Sequence, residues 1–133
     1  MTKACTYILL VGDAFSPEKA ERETGLTFQQ KNEPGEIGTR GRYKGQPTPF
    51  GWAMLEPPEE GDEARQFEWL FNAALPHIET LRRLGATDGK LHITYAYDTQ
   101  CNLGYEPELM AKLARLGLAF TISCYRDEEA FAE

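Results

Sequence analysis

Two segments of this 133-residue chain share one pattern, and this pattern constrains the fold more than any other feature. FSPEKAERETGLTF (15–28) and YEPELMAKLARLGLAF (105–120) each run from an aromatic residue through Pro-Glu and a helix-forming stretch to Gly-Leu. Proline at the first helical position and glycine at the end are typical of helix boundaries, so convergence is one explanation for the likeness. Each segment also follows a strand-like run, and this favours two related strand–helix halves around a central helix.

Four segments have the composition of β-strands. TYILLV (6–11) is a nearly continuous apolar run, which is typical of an inner strand, and FGWAML (50–55) is a second apolar run. KLHITYAYD (90–98) and LAFTISCY (118–125) alternate apolar with polar residues, as half-buried strands do. The element order is therefore β-α-β-α-β-α-β. We predict one α+β domain over residues 1–133, a ferredoxin-like sandwich with a mostly antiparallel sheet and helices packed on one face.

The central helix is predicted to begin after Asp62, which has the side chain of an N-cap. Its apolar residues recur at three-and-four spacing, which marks one buried face: Phe67, Leu70, Phe71, Ala74, Leu75, Ile78, Leu81 and Leu84. Pro76 removes a backbone donor from the middle of this pattern. We therefore expect a kink at Pro76, or two helices in place of one.

The charge balance limits the classes of partner. The chain has 21 Asp and Glu against 14 Lys and Arg, a net charge of -7. Binding to nucleic acid depends mainly on neutralising phosphates with Lys and Arg, so a nucleic-acid partner is disfavoured. The excess acid fits either a basic protein partner or simple solubility.

The cysteines and the start of the chain indicate the compartment. Cys5, Cys101 and Cys124 are an odd number without the spacing of a metal site or a disulfide framework, which favours reduced thiols in the cytoplasm. Cys5 and Cys124 lie in apolar strand-like runs and are predicted to be core residues, while Cys101 is predicted in a loop. Neither an export signal nor an apolar stretch of membrane-spanning length is apparent.

Residues 29–48 form a long polar stretch rich in glycine, predicted as a loop with room for extra strand pairing. It carries four Lys and Arg (Lys31, Arg40, Arg42 and Lys44) and two Glu, a local charge of +2 that leaves -9 for the rest of the chain. Three interpretations remain open: a hairpin loop with solvated charges, a contact surface for a partner protein, or a small-anion site built from glycine amides. The glycine spacing differs from that of a Walker loop.

Acidic residues are concentrated in EPPEEGDE (56–63) and in the tail at 127–133. Such runs are commonly solvated, but they can also steer a basic partner. Trp52 lies between the basic loop and the acidic run, where it is a core residue or an anchor for a partner. The candidate partner-binding residues are Arg40, Arg42, Tyr43, Lys44, Trp52, Glu59, Glu60 and Asp62.

Few residues in the sequence indicate a catalytic site. His92 and Thr94 resemble one arm of a two-histidine phosphoesterase, but the corresponding strand 6–11 has no second histidine, and His77 lies in the central helix. Cys101 with His92 as its base is a second possibility, without a local feature that lowers the thiol pKa. The sequence shows no metal-ligand spacing and predicts no catalytic residue, metal or cofactor.

In their order along the chain, several segments resemble an uncharacterised bacterial family called domain of unknown function 4279: TYILLVGD, SPEKAERETGL, NEPGE, FGWAML and ELMAKLARLGLAFTISCY. The resemblance spans about residues 5 to 126. It implies a small α+β fold and supplies no reaction. The sequence therefore predicts a non-enzymatic protein-binding module, most specifically a small acidic inhibitor or immunity-type protein that masks a basic toxin or effector. The alternative is a small-anion or phosphoester-processing enzyme that uses His92 with Arg40 and Arg42.

Overall fold

The computed structural model describes residues 2–58 and 62–127. Its strands are β1 (Thr2–Gly12), β2 (Gln30–Asn32), β3 (Gly51–Leu55), β4 (Asp88–Tyr97) and β5 (Ala119–Arg126). Its α-helices are α1 (Pro17–Thr24), α2 (Glu63–Ala74), α3 (Ile78–Arg83) and α4 (Pro107–Leu116). Short 3-10 helices lie at Gly41–Tyr43 and, between α2 and α3, at Leu75–His77.

The five strands form one mixed sheet in the order β2-β3-β1-β4-β5. β1 pairs antiparallel with β3 and β4, β2 pairs antiparallel with β3, and β4 pairs parallel with β5. The α+β class predicted from the sequence is confirmed. The ferredoxin-like arrangement and the order β-α-β-α-β-α-β are not confirmed, because the sheet has an additional strand, β2, and ends in a parallel pair. β2 comprises three residues with no apolar side chain, so the sequence carries no strand pattern there. The strand is defined by its pairing with β3.

The helix boundaries follow from the capping residues in the sequence. The Ser16 hydroxyl accepts a hydrogen bond from an amide in the first turn of α1, and Gly25 ends that helix with φ of 79°. Asp62 caps α2 by accepting from the Arg65 amide at 2.8 Å. The break predicted at Pro76 is confirmed, because the residue lies in the 3-10 turn that separates α2 from α3.

All four helices contribute to one hydrophobic core with a single face of the sheet. The sheet residues of that core alternate along the three central strands: Ile8 and Leu10 in β1, Ala53 and Leu55 in β3, and Leu91, Ile93 and Tyr95 in β4. The largest helical contribution comes from α2, through Phe67, Leu70, Phe71 and Ala74. Helices therefore cover one face of the sheet, and the described helices leave the opposite face uncovered.

The predicted burial of the cysteines is wrong in two cases. Cys5 and Cys124 are exposed, whereas Cys101 is half-buried and packs against the core. Cys5 alternates with core residues of β1 and so lies on the uncovered face, and Cys124 lies in the edge strand β5. An apolar run identifies a strand but does not show which of its faces will be covered.

Candidate functional site

The uncovered sheet face is apolar along the central strand β1. Ile8 and Leu10 are 1 % and 2 % exposed in the core, so the residues that alternate with them, Tyr7, Leu9 and Val11, point to the other face and are half-buried. The continuous apolar run 6–11 predicted an inner strand, and β1 is central in the sheet. Its second apolar face is not packed under a helix. We call this surface the open sheet face.

The neighbouring strand β3 continues this surface. Val11 is opposite Trp52, and Leu9 is opposite Met54, in the antiparallel register of β1 and β3. Trp52 and Met54 are half-buried, and they alternate with buried residues of β3. Cross-strand neighbours on one face lie within contact distance of each other, so these four side chains form one apolar patch.

On the other side of β1 the open sheet face becomes polar. The His92 Nδ1 atom lies 2.6 Å from the Thr121 hydroxyl, and the Tyr7 ring centroid lies 5.3 Å from that of His92. Burial, with a smaller contribution from Lys90, lowers the pKa of His92 below its ordinary value. The imidazole is therefore neutral at neutral pH.

The stretch 29–48, predicted as a loop, contains strand β2, and only from residue 33 onward is it an internally hydrogen-bonded loop. The backbone amides of Gly35, Gly38 and Gly45 donate to the carbonyls of Thr48, Gln46 and Gly38. A side chain at Gly38 would place its Cβ 2.3 Å from the Tyr43 carbonyl oxygen, so close backbone approach requires glycine there. These three amides are occupied within the loop and do not form a cradle for an anion.

The two glutamates of this loop are also used internally. Glu33 accepts hydrogen bonds from the Ser16 hydroxyl and from the Glu18 amide at the start of α1, the latter at 3.2 Å. Glu36 accepts from the Glu33 amide at 2.8 Å. Glu33 is half-buried and Glu36 is exposed, so the loop presents the Glu36 carboxylate to solvent together with its cations.

The four cations of residues 29–48, Lys31 in β2 and three in the loop, differ in their surroundings. The Lys31 ammonium lies 2.5 Å from the Glu21 carboxylate of α1, so this charge is neutralised. Arg40, Arg42 and Lys44 are exposed, and none of the ion pairs among the described residues involves them. The Arg42 guanidinium lies 5.6 Å from the ring centroid of its neighbour Tyr43.

Two contacts join the loop to the open sheet face. The Arg40 guanidinium donates to the Gln30 side-chain oxygen at 3.4 Å. The side-chain nitrogen Nε2 of the same Gln30 lies 3.8 Å from the Met54 sulfur. Tyr43 packs edge-on against Phe50, immediately before β3, with ring centroids 5.7 Å apart. Arg40 therefore lies at the border of the apolar patch.

The sequence-predicted site residues are thus divided between two regions. Arg40, Arg42, Tyr43, Lys44 and Trp52 belong to the loop and the adjoining open sheet face. Asp62 is exposed but caps α2 in the helical layer, on the other side of the sheet. The acidic residues Glu59 and Glu60 lie outside the described residues, as does the tail from residue 128 onward.

Sequence reasoning missed the apolar members of this surface: Tyr7, Leu9, Val11 and Met54. The sequence did indicate them, because a strand with apolar residues on both faces needs both faces to be buried. The predicted helices bury only one face of the sheet. Leu9 and Val11 are apolar at positions where a solvated face would carry polar residues.

The two histidines do not form the pair that a two-histidine phosphoesterase would need. His92 is on the open sheet face, whereas His77 lies in the 3-10 turn of the helical layer, on the opposite side of the sheet. Within residues 2–58 and 62–127, no three His, Cys, Asp or Glu side chains are grouped as a metal site would require.

Comparisons with protein-family models, with curated proteins and with solved structures find no match for this chain. The resemblance to domain of unknown function 4279 therefore stays a prediction. None of the helices in the described part of the chain combines the length and apolarity that crossing a membrane requires.

Proposed function

We propose that this chain is a cytoplasmic, non-enzymatic protein-binding module, an inhibitor or immunity-type protein that masks a toxin or effector. The observation that supports this best is the apolar patch on the open sheet face, bordered by exposed loop cations. Trp52 and Met54 are half-buried, and aromatic residues and Met are enriched at the centre of protein interfaces. A solvated sheet face would instead alternate apolar with polar side chains.

The composition of the surface defines the kind of partner. An apolar centre on the partner would cover Trp52 and Leu9, and carboxylates at its edge would meet Arg40 and Arg42. The rest of this chain carries a net charge of -9, which accelerates the approach of a partner that is basic overall. A basic toxin or effector with a local acidic edge fits both features.

The partner is first isolated from native lysate with the tagged protein and identified by mass spectrometry, and is then produced separately. Binding between the two purified proteins is measured by isothermal titration calorimetry. We expect a one-to-one complex in which Trp52→Ala weakens the affinity by at least about 30-fold, the loss typical of an interface hot spot. Arg40→Glu combined with Arg42→Glu should weaken it by about tenfold and reduce its salt dependence.

Two matched controls lie in the helical layer. Met110→Ala truncates a side chain of α4 that is 52 % exposed, and Lys19→Glu combined with Arg22→Glu reverses two exposed charges of α1. Both should leave the affinity within about twofold. The proposal fails if no stoichiometric partner is recovered, if the controls weaken binding as much as the sheet-face variants, or if light scattering shows a self-dimer through this face.

A further inference from the structure

A second concave surface lies in the helical layer, between the start of α2 and the start of α4. It encloses about 650 Å³, within the range of roughly 300–1,000 Å³ that is usual for ligand sites. Its floor is apolar and aromatic, formed by Phe67, Phe71, Tyr105 and Leu109. The Phe67 and Tyr105 rings meet edge-to-face with centroids 6.1 Å apart. We call this surface the α2–α4 groove.

The rim of the groove is strongly acidic. Among the described residues, five carboxylates line it and Lys112 is the only lining ammonium. The carboxylates are Asp62, Glu63, Glu68, Glu106 and Glu108. Glu108 lies 4.0 Å from Lys112, and Asp62 lies 4.0 Å from Arg65. None of the ion pairs among the described residues involves Glu63, Glu68 or Glu106. Glu68 and Glu106 are exposed, so the groove offers at least these two carboxylates to a cation.

A buried polar cluster lies beneath the acidic rim. The Tyr95 and Tyr105 hydroxyls are 2.9 Å apart, and Tyr95 is 2 % exposed. Burial, followed by hydrogen bonding to the Glu63 carboxylate, raises the pKa of Tyr95 far above its ordinary value. Burial and the nearby charge of Glu63 also raise the pKa of Tyr105. Both phenols stay neutral, so the floor beneath the rim carboxylates is uncharged.

The groove has the length and pattern of a peptide site. Its lining residues on α2 run from Glu63 to Phe71, about 12 Å at 1.5 Å per residue, and recur every three or four positions. On the other side the lining continues from Gly104 to Lys112, through the first turns of α4. Two helical stripes with apolar residues between them form the type of groove that takes the apolar face of an amphipathic helix.

We propose that the α2–α4 groove binds a cationic amphipathic segment of a partner protein. Apolar side chains of that segment pack on the half-buried Tyr105 and Leu109, and its Lys or Arg side chains pair with Glu68 and Glu106 at the rim. Charge complementarity selects this occupant, because an uncharged apolar segment would leave the rim carboxylates unpaired. The inference stands independently of the proposed function, since the groove and the open sheet face lie on opposite sides of the sheet.

The test uses a fluorescein-labelled peptide of about 14 residues with Leu and Lys at helical spacing, and a scrambled peptide of the same composition. Binding to the full-length protein is measured by fluorescence anisotropy at two salt concentrations. We expect the amphipathic peptide to bind at least about tenfold more tightly than the scrambled one, and more weakly at high salt. Glu68→Lys combined with Glu106→Lys should weaken binding by about tenfold.

The matched control is Asp13→Lys combined with Glu23→Lys, which changes the net charge equally at two exposed positions outside the groove. This control should leave binding within about twofold. Leu109→Ser, with its fold checked by circular dichroism, should weaken binding as well, and Trp52→Ala should not. The proposal is overturned if the scrambled peptide binds equally, if the control weakens binding as much as the rim variant, or if spermidine binds as tightly as the peptide and Leu109→Ser has no effect.

Discussion

The side chain of Gln66 replaces part of a missing strand. β3 pairs with β1 only from Ile8 to Gly12, so the earlier part of β1 has no β3 neighbour on that side. The Gln66 oxygen accepts from the Thr6 amide at 2.9 Å, and its nitrogen donates to the Ala4 carbonyl at 2.9 Å. Both bonds are those that a peptide group of a neighbouring strand would make. The Thr6 hydroxyl adds a third bond to the Gln66 oxygen, at 2.8 Å.

Gln66→Leu would remove these three hydrogen bonds while keeping a side chain of similar size. The Thr6 amide and hydroxyl would lose their acceptor in the protein interior, and the part-buried Ala4 carbonyl would lose a donor. Each orphaned buried group costs about 1–3 kcal/mol, and the leucine recovers part of this through apolar burial. We expect the free energy of unfolding to fall by about 2–4 kcal/mol, a large share of the roughly 5–15 kcal/mol of a typical domain.

Urea denaturation followed by circular dichroism measures this loss. With a denaturant slope of about 2 kcal/mol per M, the midpoint should fall by roughly 1–2 M. Thr6→Val, which removes only the hydroxyl bond, should cost about 1 kcal/mol. Asn72→Leu, at an exposed position of the same helix, should stay within about 0.5 kcal/mol of the unmodified protein. A Gln66→Leu midpoint equal to that of Asn72→Leu would refute the view that Gln66 completes the sheet.

Three further predictions concern glycine packing, acid stability and thiol reactivity. Gly51→Ala would place a Cβ 1.7 Å from a backbone carbonyl oxygen and should lower the calorimetric melting temperature by at least about 5 °C, whereas Gly104→Ala, with open space around it, should change it little. The pKa of Glu21 is lowered, because hydrogen bonds from Lys31 and a backbone amide outweigh desolvation. Its stabilisation is therefore present above its ordinary pKa and lost as pH falls through the folded value, so Glu21→Gln should flatten the acid side of a stability–pH curve. Burial raises the pKa of Cys101, so iodoacetamide should modify it more slowly at pH 7 than it modifies a free cysteine, with mass spectrometry as the readout.

Local chemistry made the helices predictable. Ser16 and Asp62 cap the helices that their positions indicated, and Gly25 and Gly117 end helices with positive φ. Pro76 divides the central helix, as the loss of its amide donor predicted. Each of these signals acts within one turn of the chain, so a single sequence is enough to find it.

Non-local pairing made the rest unpredictable. β2 exists because Gln30 and Asn32 pair with β3, and their own side chains carry no strand signal. The exposure of Cys5 depends on which face of the sheet the helices cover, and alternation within β1 does not determine this. The α2–α4 groove joins Glu63 to Glu106, residues that lie far apart in sequence and meet only when the helices pack.

The two surfaces differ in the sign of their charge, and this bears on how many partners the protein can hold. The loop cations border one side of the sheet, while the groove carboxylates lie in the layer that covers the other side. Exposed charges separated by more than a Debye length, about 8 Å at physiological salt, are largely screened from each other. A standard interface buries about 800 Å² per partner, a small part of the 8321 Å² surface of this chain. Two separate partners can therefore occupy the two sites together, and sheet-face variants should leave binding at the groove unchanged, as groove variants should leave binding at the sheet face unchanged.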